Sequence, residues 1–266
     1  MAPPPLPPPP QPSHRENPKR GFVADSSNCD DPILLNVSGW FYDYNLDNNY
    51  RKPGIPGDCA RANATASLDR RFAPMNWCLD SLEKPIPPYV NRSFFMGFNE
   101  PNNLHNCNTK PRDVAKAWKT VMARWPNSQL VSPATAGNGV PWFDEFFGNC
   151  SELYGQTGCR ITHLAAHDYS CDPDHTLSYL HTLHERYKLP VWLTEFSCGD
   201  GAQKRPPTDH ARFMQAALPK LDAAKFVFRY SWMSAHDGRG LRGLVEDDPH
   251  RPGRSRLTLL GHIWNS

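Results

Sequence analysis

The chain has 266 residues, 39% of them hydrophobic, and 29 Lys+Arg against 27 Asp+Glu give a formal net charge of +2. That length can bury one large core. The charge balance offers nothing to nucleic acid or an anionic membrane surface, and no apolar stretch is long enough to span a bilayer, so neither is expected as a partner.

Residues 1–18 are proline-rich and low in complexity. Proline removes backbone donors and favours extended chain, so this segment reads as a disordered arm, with one domain over 19–266. The arm lacks the apolar run of a signal peptide, so a leader is expected upstream or already removed.

Beyond the arm, apolar runs predict strands at Gly21–Ala24, Ile33–Phe41, Phe72–Trp77, Phe94–Phe98, Gln129–Pro133, Thr162–Tyr169, Val191–Phe196 and Phe226–Trp232. The runs are continuous rather than alternating, as in strands buried on both faces of a parallel sheet. Between them, Thr109–Trp125 reads as a helix with Thr109 as cap, Pro111 in its first turn, and Val114, Trp118, Val121 and Trp125 on one face. Asp174–Lys188 and Thr208–Leu218 read as two more. The link 78–93 leaves little room for a full helix. Eight strands with intervening helices predict an α/β fold, a single-domain (β/α)8 TIM barrel. A Gly-x-Gly-x-x-Gly at Gly238, Gly240 and Gly243 follows the last strand with no βαβ unit after it, so it is expected to be a loop at the barrel mouth rather than a nucleotide site.

In such a barrel the active site lies at the C-terminal strand ends. Glu100 follows the fourth predicted strand in FFMGFNEPNN, and Glu195 lies near the end of the seventh in PVWLTEFSC. Fourth and seventh strands lie across the ring, so the two carboxylates can face each other, which is what glycosidic cleavage needs. Burying Glu195 beside Trp192, Leu193 and Phe196 costs several kcal/mol unless the charge is paired or used. Near the strand ends lie Trp40, Tyr42, Trp77, Tyr169 and Trp232, whose rings can stack on pyranose faces. Asn76, Asn99, His167 and Asp168 can bind hydroxyls. The same tryptophans could equally fill a core. His163 and His167 are about 13 Å apart along a strand, and His181 and His184 have no evident third ligand, so neither metal nor any other cofactor is expected. No Gly-x-Ser-x-Gly elbow points to a serine hydrolase.

Eight cysteines, widely spaced and without a C-x-x-C pair, fit disulfides in an oxidising compartment better than zinc. Sequons at Asn36, Asn63, Asn91 and Asn149 agree with secretion, although Asn36 falls in a predicted strand and is expected to go unused.

The segments KRGFVADS, WFYDYN, RFAPMNW, FFMGFNEPN, HLAAHDYS, PVWLTEFSCGD and FRYSWMSA occur in this order. Together they resemble glycoside hydrolase family 128, the Asl-like glycosyl hydrolase catalytic core, over about residues 19–265. The resemblance implies a (β/α)8 barrel that cleaves β-1,3-glucan, with Glu100 as acid/base and Glu195 as nucleophile. It implies Asn99 at the sugar 2-hydroxyl, Tyr169 near the nucleophile, and Trp77 and Trp232 near substrate. PMNWC stands where the family usually reads PMLWG, and Asp168 stands where it usually has an aromatic. Against these strand ends, Cys78, Cys107, Cys171 and Cys198 fall in rim loops. A pairing of 78–107, 171–198 and 150–159, leaving Cys29–Cys59, is one connectivity among many.

The expectation is a secreted or cell wall-associated, monomeric endo-β-1,3-glucanase working by double displacement on a polysaccharide. Glu100 would start protonated, its acidity weakened by the charge of Glu195. The rivals are a hydrolase of another β-glycan and a non-catalytic, wall-associated glycan-binding protein, to which the proline-rich arm lends weight.

Overall fold

The computed structural model describes residues 16–24, 28, 30–51, 62–200, 203–237 and 240–266, with the backbone alone for 62–66. Most of the proline-rich arm, Gly238, Cys29 and Cys59 lie outside the described residues. In chain order the elements are β1 (Asn17–Val23), α1 (Asp31–Leu34), β2 (Ser38–Tyr42), α2 (Ala62–Arg71), β3 (Phe94–Met96), α3 (Pro111–Arg124) and β4 (Gln129–Thr135). They continue as α4 (Val140–Tyr154), β5 (Ile161–Asp168), α5 (Pro173–Tyr187), β6 (Val191–Phe196), α6 (Pro207–Ala223), β7 (Val227–Trp232), β8 (Val245–Asp247), β9 (Ser255–Leu257) and α7 (Leu259–Trp264).

Seven strands form one parallel sheet in the order β2-β1-β7-β6-β5-β4-β3. The edges β2 and β3 are joined by residues 72–76, which bridge Phe41 on one side and Met96 on the other. The ring therefore has the eight staves expected of a (β/α)8 barrel, but the stave expected at Phe72–Trp77 makes only isolated bridges. Pro74 has no N–H to give to a ladder, and its carbonyl accepts from Met96 N instead at 2.9 Å.

The expected strand Ile33–Phe41 is corrected: Ile33 and Leu34 lie in the short helix α1, with Pro32 in its first turn, and the strand starts at Ser38. Asn36 is consequently exposed in a turn, not in a strand, and the reason for setting its sequon aside falls away. Two sequon amides are engaged: Asn149 donates to Glu145 O and accepts from Arg112, and Asn91 donates to Arg70 O and accepts from Ser93 N.

Helix α3 begins at Pro111 without a side-chain cap, and Thr109 donates to Cys107 O instead. Asp172 caps α5 by accepting from Asp174 N and His175 N. Two apolar sets divide the molecule. Val23, Trp40, Tyr42, Met75, Met96 and Trp192 are among those filling the barrel, while a larger set packs the helices onto the sheet. Gly97 marks the closest approach: an added Cβ would lie 2.7 Å from Trp118 and 2.8 Å from Pro133 N. Only glycine lets α3 press against the strand end that carries Glu100.

Candidate active site

Glu100 leaves the barrel one residue after the Asn99–Ala134 bridge, with its own N–H donating to Ala134 O at 2.7 Å. Its φ is +41°, a left-handed conformation that costs a non-glycine residue energy and tends to occur where function requires it. The turn that follows is fixed by Asn103 N to Glu100 O and Thr109 N to Pro101 O. Glu195 sits inside β6, paired through the ladder with His167 of β5. Both carboxylates are buried, at 8% and 5% exposure.

One imidazole joins them. His167 Nδ1 lies 2.8 Å from Glu100 Oε1 and 3.4 Å from Glu195 Oε2. One carboxylate oxygen from each glutamate and this nitrogen all fall within 4.8 Å of one another. Glu100 Oε2 accepts from Asn103 Nδ2 at 2.7 Å and from Asn106 Nδ2. Glu195 is ringed by phenols: Tyr44 donates to Oε1 at 2.7 Å, Tyr42 to the same oxygen at 3.3 Å, and Tyr169 to Oε2.

The electrostatics reverse one expectation. Burial alone would raise the pKa of Glu100, but the hydrogen bond and charge of His167, with the amides of Asn103 and Asn106, hold it below the usual range. His167 moves the other way. Burial opposes its charge, yet Glu195 and the bond to Glu100 outweigh burial, so its pKa is raised. The two shifts favour the proton on His167 over Glu100, the reverse of the expectation. Burial, then the charge of Glu195, lifts the Tyr44 and Tyr169 hydroxyls well above their ordinary pKa, so both remain donors.

Glu100, His167 and Glu195 are also a donor set with the chemistry to hold a cation, a grouping that His163 and His181 do not join. His163 lies instead against Phe94, Trp192 and Phe228, and burial followed by the nearby Arg229 charge lowers its pKa to about 4.

The carboxylates open on a cleft of about 1190 Å³, lined among others by Trp77, Asn99, Tyr169 and Arg242. Trp77 is 47% exposed and offers a flat apolar wall. Asn99 is buried with its Oδ1 lacking any partner. Three expected cleft residues are elsewhere. Trp40 is fully buried inside the barrel, its Nε1 donating to Lys19 O at 3.0 Å. Trp232 is fully buried among Phe196, Phe213 and Trp264 and donates to Arg242 O. Asn76 braces a turn through Ser81 O and Oγ. Asp168 lines the cleft, but its Oδ2 is occupied by Ser170 and Thr176. Tyr44, Asn103, Asn106 and Arg242 were not expected; polar loop residues carry no strand-end signal that marks them.

Two disulfides flank the cleft as expected, Cys78–Cys107 and Cys171–Cys198, and a third joins Cys150 to Cys159.

Residues 26–263 match the family described as glycosyl hydrolase catalytic core. The chain belongs to that family. Among relatives of this glycosyl hydrolase core, alkali-sensitive linkage protein 1 of Schizosaccharomyces pombe (strain 972 / ATCC 24843) is 31% identical over 196 residues. The match covers 70% of this chain and 35% of that protein, so the chain spans about a third of the relative's length. An endo-β-1,3-glucanase of family GH128 (subgroup I) from Amycolatopsis mediterranei, in complex with laminarihexaose, superposes with a TM-score of 0.74 at 24% identity over 94% of this chain and 99% of that one. One of subgroup II from Pseudomonas viridiflava gives 0.72 at 25% over 93% and 97%. The glycosyl hydrolase core thus carries the barrel that its spacing of strands predicts.

Proposed function

We propose that this glycosyl hydrolase core is a retaining endo-β-1,3-glucanase acting by double displacement. The observation that carries the reading is the approach of Glu100 and Glu195, with carboxylate oxygens within 4.8 Å. Retention works at carboxyl separations of about 5–5.5 Å, whereas inversion needs about 6.5–9.5 Å to admit a water. The linkage rests on the likeness to the solved glucanases.

Glu195 attacks the anomeric carbon while the glycosidic oxygen takes a proton and leaves. Water then attacks the glycosyl–Glu195 ester, gives up its proton and frees the carboxylate. Glu100 delivers the first proton and receives the second. Its supply is the 2.8 Å contact with His167, because the pair holds one proton between them. The phenols of Tyr44 and Tyr169 hold Glu195 in place and keep its lone pairs from turning away. The unpartnered Asn99 Oδ1 is suited to a sugar hydroxyl, and Trp77 to a pyranose face. The disulfides favour an oxidising, extracellular setting, and a monomer suffices for the chemistry.

The test is hydrolysis of a laminarin-type glucan followed by NMR of the fresh anomers. Initial β-product with activity lost in Glu195→Gln is expected. Initial α-product would sink the retaining mechanism, and binding without cleavage would sink the enzyme reading.

A further inference from the structure

The glycine-rich segment after β7 carries a guanidinium into the cleft. Asp237 Oδ2 accepts from Leu241 N at 2.9 Å and Arg242 N at 3.0 Å, and Trp232 donates to Arg242 O at 2.7 Å. The backbone of Arg242 is thus held at its N–H and its carbonyl, with Leu241 held beside it, and its side chain lines the same cleft as Glu195. Only 9% of the residue is exposed. Its charge reaches the Tyr169 hydroxyl, where it works against burial and the Glu195 charge.

A buried guanidinium usually sits against a carboxylate, since the cost of removing it from water is otherwise uncompensated. Among the described residues no carboxylate lies within ion-pair distance of Arg242. Its protein contacts are two long ones from Nη1, to Ser197 Oγ at 3.3 Å and Gly199 O at 3.5 Å. Nε is buried with no partner. Most of its N–H donors are therefore unspent, on a fixed planar fork, in the wall of a cleft that takes a neutral, oxygen-rich ligand.

We propose that Arg242 is a specificity-determining residue that donates to O4 and O6 of a glucosyl unit bound on the Glu195 side, and so reads the linkage of the glucan. This rests on the glucanase reading above. In a β-1,3-linked chain each internal unit keeps O4 and O6 as free hydroxyls on one edge, a pair that two adjacent N–H donors can reach. In a β-1,4-linked chain O4 is the bridging oxygen, a poorer acceptor with its neighbour sugar in the way. The fork then loses one partner and is left partly desolvated and unpaired, which is how a polar site rejects the wrong ligand.

The experiment titrates laminarihexaose and cellohexaose into the full chain carrying Glu195→Gln to block turnover, with and without Arg242→Gln or Arg242→Lys. Expected is a loss of about tenfold or more in laminarihexaose affinity in both Arg242 variants, the size of one bond to a charged group. Cellohexaose affinity should stay where the parent has it, so that the linkage preference shrinks. Unchanged laminarihexaose affinity, an equal loss for both sugars, or no binding of either sugar by the parent overturns the proposal. Lysine keeps the charge without the fork, so it carries the test if the glutamine variant fails to fold. Hydrolysis by the unmodified chain is measured separately: binding without hydrolysis would remove the enzyme reading and leave the Arg242 result standing.

Discussion

The Nδ1 nitrogen of His167 lies 2.8 Å from Oε1 of Glu100, and the two groups are shifted in opposite directions, the imidazole up and the carboxyl down. The pair keeps one proton from above the lowered pKa of Glu100 until the pH passes the raised pKa of His167. In His167→Gln the alkaline limb of the pH–rate profile is set by Glu100 alone and should move to lower pH. The maximal rate should fall by about 100-fold, the lower range for loss of a positioned proton donor. A profile on laminarin with an unmoved alkaline limb would contradict this.

Tyr44 reaches Glu195 from a left-handed backbone position, φ +63°. Tyr44→Phe deletes one charge-assisted bond and little volume. A drop of about 10- to 100-fold in kcat is expected, corresponding to about 1.5–3 kcal/mol, with the melting temperature nearly unchanged. Steady-state kinetics beside a thermal melt separates the two effects.

Cys107 follows Asn106, one of the amides that hold Glu100 ionised. Replacing Cys78 and Cys107 together with serine should cost about 2–4 kcal/mol of stability. It should also move the alkaline limb of the activity profile to higher pH, because a loosened Asn106 no longer favours the Glu100 carboxylate. Denaturant melts and a pH–rate series check the two halves independently.

Burial holds His163 and His210 at pKa values of about 4, aided in each by a nearby arginine charge. Both stay neutral in the fold while the unfolded chain protonates near the ordinary value of 6.5. Between those values the unfolded state binds more protons, so stability is full above 6.5 and declines as pH falls toward 4. Melting temperatures across that range should drop, and less steeply in His163→Phe.

The strands were legible because their apolar runs are continuous, and Val191–Phe196 has the same bounds in sequence and structure. Helix α4 carried no such signal: Trp142, Phe143, Phe146 and Phe147 crowd more than a single stripe. Glu100 and Glu195 could be read as a facing pair from barrel geometry. Trp40 and Tyr42 could not be told apart, because they are two residues apart and share one face. About 7 Å of rise separates an aromatic in the barrel core from one touching the carboxylate. Tyr44 sits among Asp43, Asn45 and Asn48, where composition says only loop. The acidity of Glu100 was misjudged because His167, expected only to bind a hydroxyl, turns its imidazole to the carboxyl instead.

The stave at 72–76 leads directly into Trp77 and is held to its neighbours by isolated bridges, whereas β6, which bears Glu195, is laddered on both sides. Segments with few cross-strand bonds open at lower free energy than fully paired ones. The bond from Asn99 N to Trp77 O at 2.8 Å and the Cys78–Cys107 disulfide make up for that shortfall, so the aromatic wall of the cleft is cross-linked where its carboxylate floor is laddered.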